Sequence, residues 1–106
     1  MEMHNFGWYI WKINYDGYTT YHVSCKNSGG GRMSSSIQKV VRDDKGFVAT
    51  TRSGNQYVLL DEARDATTST DQAYIEGRWF AVNGIPKESR EVVEIEDVIG
   101  YVGRES

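Results

Sequence analysis

One cysteine, one proline and two histidines are all that 106 residues hold of these types. A lone Cys25 excludes an intrachain disulfide framework. It also leaves zinc short of ligands, because a structural zinc site takes four. His22 and Cys25 have a spacing found in metal sites, but on a strand positions i and i+3 point to opposite faces. His4, the other histidine, lies near the N-terminus. No metal and no cofactor are expected. The same geometry defeats nucleophilic catalysis by this pair, and no third residue orients the histidine.

Long apolar runs are also missing. None approaches the ~18 residues of a membrane span, and the N-terminus lacks a charged segment followed by an apolar signal core. The expectation is a cytoplasmic protein with no membrane partner. Ser28-Gly29-Gly30-Gly31-Arg32 lacks the Gly-Lys-Ser/Thr ending and following helix of a phosphate loop. Gly30, Gly31 and Arg32 could still supply backbone amides and a guanidinium to a small anion. Paired carboxylates occur at Asp43-Asp44, at Asp61-Glu62 and at Glu94, Glu96 and Asp97. The first pair suits a turn, where aspartate bonds nearby backbone amides, and the last group reads as a solvated acidic face. With no catalytic constellation, a non-enzymatic role is expected.

What remains is ordinary for a globular domain: 39% hydrophobic, 25% charged and a net charge of −3. The charge is uneven. Residues 1–53 hold seven Lys/Arg against four Asp/Glu, a net of +3, and residues 54–106 hold five against eleven, a net of −6. Bulk attraction to nucleic acid or anionic lipid does not follow from this balance. The length corresponds to a single domain spanning 1–106.

Seven of the thirteen aromatic residues fall within the first 21 positions, around an Asp16-Gly17 turn. Asp-Gly between aromatic and β-branched residues is a strong hairpin signal. Further strands are expected at Ile37–Arg42, Phe47–Arg52 and Gln56–Leu60, giving a meander apolar on both faces. Others fall at Val92–Ile95 and Ile99–Val102, with a short helical turn possible at Ile95–Ile99. Asn27–Ser36 and Ala63–Thr70 read as mobile loops. Over 69–83, Ser69-x-x-Gln72 suits a capping box, but Gly77 and the Trp79–Val82 apolar run favour strand. The fold class is therefore all-β, with at most one short helix: a small antiparallel barrel or sandwich of six to eight strands.

Register divides the hairpin. A three-residue Tyr15-Asp16-Gly17 loop pairs Tyr9 with Val23, Trp11 with Tyr21 and Ile13 with Thr19, which leaves one clean apolar face. The opposite face then exposes Trp8, Ile10, Tyr18 and His22, an aromatic surface suited to a partner. The functional reading is a non-enzymatic accessory or inhibitory module that binds a basic or apolar protein surface. Contact would come from Trp8, Ile10, Tyr18 and His22, or from Glu94, Glu96 and Asp97, with homodimerisation as an option. Two alternatives stay open. One is a single-stranded nucleic-acid-binding barrel using Lys39, Arg42, Lys45 and Arg52 with Trp8, Tyr18 and Tyr57. The other is a small-anion-binding protein using Gly30, Gly31 and Arg32.

Overall fold

A computed structural model describes residues 6–27, 30–64, 70–98 and 101–102. Among these, eight strands and one α-helix are found: β1 (Phe6–Tyr15), β2 (Tyr18–Asn27), β3 (Gly30–Met33), β4 (Ile37–Arg42), β5 (Gly46–Thr51), β6 (Gln56–Leu60), α1 (Thr70–Val82), β7 (Arg90–Val93) and β8 (Tyr101–Val102). They build two four-stranded sheets, β3-β2-β1-β7 and β6-β5-β4-β8. All pairings are antiparallel except β4 with β8. The sheets stack as a sandwich, with no closed barrel among the described residues.

The first hairpin turns through Asp16 and Gly17, with φ of 53° and 80°. Positive φ at both central residues is the two-residue turn whose twist matches the strands. It pairs Tyr15 with Tyr18, Trp11 with His22, Ile10 with Val23 and Tyr9 with Ser24. The expected three-residue loop is thus corrected, and the one-residue slip exchanges every cross-strand partner. The reason lies in what covers the sheet. A single clean apolar face is a sound criterion only when the other face meets water, and here both faces are covered.

On the inner face Trp8, Ile10, Tyr21, Val23 and Cys25 meet Val40, Phe47, Ala49, Tyr57 and Leu59 of the second sheet. Trp8 packs edge-on against Phe47, with centroids 6.0 Å apart. The Trp8 indole N–H donates to the Leu60 carbonyl at 2.7 Å, so the ring is buried without an orphaned donor. On the outer face Tyr9, Trp11, His22 and Ser24 meet α1.

The helix replaces the strand expected at 69–83. Gln72, Glu76 and Phe80 recur at i, i+4 and i+8, and all three are buried. The Trp79–Val82 run that suggested a strand is only partly inside, since Val82 is exposed. Gly77 sits mid-helix, where an added Cβ would meet open space. Asn83-Gly84 is a true stop signal that ends a helix instead of a strand. Gly84 has φ of 65°, and Gly84 N–H bonds Ala81 O while Ile85 N–H bonds Phe80 O. That pair of bonds is the Schellman cap. The capping box depends on Ser69, outside the described residues.

Ser34–Ser36 carries the chain from one sheet to the other, and Gly30–Met33, expected as loop, pairs with β2 as an edge strand. The β4–β5–β6 meander forms as its turn residues predict. In the first of its turns Asp43 Oδ1 accepts from the amides of Lys45 and Gly46, both at 2.9 Å. Gly46 closes this turn without a positive φ. Its requirement is space, because a methyl there would collide with the Leu59 carbonyl oxygen and lie 2.9 Å from Leu60 Cα. The acidic segment forms a short 3-10 turn at Ile95–Asp97, as anticipated in part; residue 99 lies outside the described residues.

These two glycines separate by experiment. Gly46→Ala is expected to cost more than about 2 kcal/mol of unfolding free energy, as forced overpacking does. Gly77→Ala should instead stabilise by roughly 0.5–1 kcal/mol, the helix-propensity gain with nothing to clash. Urea denaturation of both variants measures this, and equal effects would refute the placement of either residue.

Candidate functional site

The predicted contact residues do not share a surface. Trp8, Ile10 and His22 are 1%, 0% and 5% exposed. Their assignment to an open aromatic face is corrected, because the inner core takes the first two and α1 covers the third. Tyr18 stands apart at 74% exposed, and its cross-strand partner Tyr15 at 43%.

These tyrosines flank the turn at a tip that neither neighbouring strand reaches. β7 pairs only with Ile10–Ile13, and β3 only with Ser24–Asn27. Residues Asn14 through Thr19 are exposed without interruption. Two directly opposed residues share a face, so both tyrosines project from one side of a short, conformationally fixed turn.

The acidic stretch is largely committed internally. Arg64 forms a two-pronged contact with Glu96, Nη1 to Oε2 at 3.1 Å and Nη2 to Oε1 at 2.8 Å, and a further ion pair with Glu94. The same guanidinium lies 5.3 Å from the Trp8 ring centroid. It therefore pins the 94–97 segment over the buried indole, and hydrogen bonding to Arg64 holds the Glu96 carboxyl below the usual range. Asp97 is exposed and lines, with Arg64, a cleft of about 300 Å³ that extends to Val92 and Val93.

The glycine-rich segment is likewise a strand rather than a cradle. Gly30 and Gly31 pair with Asn27 and Lys26, and Arg32 Nε donates to the Tyr57 hydroxyl at 2.8 Å. The basic residues fare no better as a phosphate track. Arg42 grips Asp61 through two bonds of 2.7 Å and stacks on Phe47 at 4.6 Å, and that hydrogen bonding holds the Asp61 carboxyl down. Trp8 and Tyr57, proposed for stacking, are buried.

Sequence reasoning missed the polar array beneath α1. The Glu76 carboxylate accepts from both the Tyr9 and Ser24 hydroxyls through the same oxygen. Gln72 Nε2 donates to Gly7 O and to Ser24 Oγ, each at 3.1 Å. Beside it, a cleft of about 410 Å³ opens between α1 and the segment running into β7. The i, i+4 spacing of Gln72 and Glu76 was the available signal, legible only once the segment is read as a helix. Cys25 offers no chemistry: it is fully buried and burial pushes its thiol up to about 12. Among the described residues no group of three or more His, Cys, Asp or Glu could hold a metal ion, and no helix is long and apolar enough to cross a membrane. Compared with known protein families, curated proteins and solved structures, the chain matches none.

His22, also beneath α1, makes folding stability pH-sensitive. Nδ1 lies 3.0 Å from the Ser34 carbonyl and so donates to it, which leaves Nε2 to accept from Thr20 Oγ1 at 2.9 Å. The Trp79 ring lies 4.7 Å away. Burial is the largest influence and lowers the imidazole below its ordinary 6.5. The unfolded chain then binds more protons than the native one between the two values, so stability rises with pH across that window. The thermal midpoint should fall on acidification from about pH 7 to about pH 5. His22→Gln should flatten that slope; an unchanged slope would show that another group sets it.

Proposed function

We propose that the protein is a non-enzymatic binding module that docks on another protein through the tip of its first hairpin. The observation that carries this is the exposure of Tyr18 and Tyr15, 74% and 43%, on a turn that no other strand supports among the described residues. Neither ring is needed for the core. Tyrosine combines a large contact area with a hydroxyl and few rotatable bonds, which is why it is enriched at binding hot spots. A two-residue turn with both φ positive fixes the pair before binding, so little ordering is required on contact.

The partner's chemistry follows from the tip. Asp16 stands between the two phenols, and the chain's net charge is −3, so an apolar patch with a basic rim fits best. An accessory or inhibitory role suits a small domain of 106 residues. The nucleic-acid reading is weaker, since two of its three stacking aromatics are buried and Arg42 is held by Asp61.

A photo-crosslinking residue at position 18 tests this in lysate from the source cells. The expected result is one dominant protein adduct, suppressed by excess wild-type chain and lost in Tyr15→Ala. Tyr15→Ala/Tyr18→Ala should cost less than about 1 kcal/mol of stability, the scale of one cross-strand pair. A much larger loss, or adducts insensitive to competition, would overturn the reading. An adduct of twice the chain mass would make the partner a second copy.

A further inference from the structure

The cleft between α1 and the segment entering β7 is separate from the hairpin tip and from the acidic stretch, and its chemistry is that of a pocket. Trp11 and Phe80 form an apolar corner, edge to face with centroids 5.1 Å apart. Lys87 and Arg90 supply two cations to the rim. Neither has an ion pair among the described residues, and the Arg90 guanidinium rests 4.1 Å over the Phe80 ring. Unpaired cations beside a partly exposed tryptophan, here Trp11, are a recurring way to read a carboxylate attached to a flat body.

Two further features point the same way. The Trp11 indole N–H is shielded from solvent yet has no acceptor, the one buried side-chain polar atom so placed among the described residues. Such a donor is costly, and its resonance reports directly on any change at the Trp11 ring that lines the cleft. Gly77 also lines this cleft, and a Cβ there would meet open space. Glycine in a helix interior loses about 1 kcal/mol against alanine, and here its effect is to keep the pocket open. The volume of about 410 Å³ suits a small molecule.

We propose that this cleft binds a small aromatic monocarboxylate, its ring against Trp11, which Phe80 backs from beneath, and its carboxylate between Lys87 and Arg90. The Glu76 carboxyl group in the wall disfavours multiply charged anions such as phosphate.

Phenylacetate is the probe, with 2-phenylethanol and inorganic phosphate as controls, followed through the indole N–H resonances. The three tryptophans give three such signals, assigned by Trp→Phe variants. Phenylacetate at about 1–10 mM should move the Trp11 signal and leave that of Trp8, already bonded to Leu60, in place. Both controls should bind at least ~tenfold more weakly. Arg90→Gln should weaken phenylacetate by a similar factor, and Gly77→Leu should abolish binding while the protein stays folded. No movement of the Trp11 signal would overturn the proposal. Equal response to 2-phenylethanol, or undiminished binding in Arg90→Gln, would do the same.

Discussion

The β1–β2 hairpin is buried on both faces, and the rest of the structure follows from that constraint. Its inner side chains complete the apolar space between the sheets, and its outer ones carry the helix. A hairpin buried on one side could tolerate a register slip that left its core face intact. One buried on both cannot, because a one-residue slip turns one strand over relative to the other, setting Ser24 and His22 in the apolar layer and Val23 under the helix, or Trp8 and Ile10 there instead.

The two layers use different physics. Between the sheets, Trp8, Ile10, Val23, Phe47 and Leu59 are sealed from water, and burial of each such side chain contributes roughly 1.5–3 kcal/mol. Between sheet and helix, hydrogen bonds among Glu76, Ser24, Tyr9 and Gln72 stand beside the Trp11–Phe80 and His22–Trp79 ring contacts. Buried polar groups of this kind add little net stability, but each would be expensive to leave unmade. The apolar layer thus supplies the driving force, while the polar layer selects the position of α1 along the sheet. Arg64 plays the corresponding part at the other end, tying Glu94 and Glu96 across Trp8.

Local chemistry made much of this legible. The Asp16-Gly17 turn, the Asp43–Gly46 and Ser53–Asn55 turns and the strands they join can be read from residue types alone, as can a mostly β fold. Asn83-Gly84 was also legible as a stop, though not as the stop of a helix. What local reading missed was tertiary. Whether Trp8 or Trp11 faces the inner core depends on a helix more than fifty residues away, and that helix is marked by polar residues, Gln72 and Glu76, whose burial no hydrophobic pattern announces. The same gap displaced the candidate site. Trp8, Ile10 and His22 were read as exposed because the second layer over them could not be foreseen. Tyr18 needed no such knowledge, being beside the turn in either register.

The aromatic residues of the first 21 positions therefore serve distinct ends. Trp8 and Tyr21 build the core, Tyr9 and Trp11 meet the helix, and Tyr15 and Tyr18 are left to the surface. The arrangement rests on the two-residue register, and Hα–Hα nuclear Overhauser effects across the hairpin test it most directly. Lys12–Tyr21 and Ile10–Val23, which fall at the close, non-hydrogen-bonded pairs of this register, should give strong cross-peaks. Cross-peaks between Trp11 and Tyr21 and between Tyr9 and Val23 in their place would contradict it, and with it the burial of the hairpin on both faces.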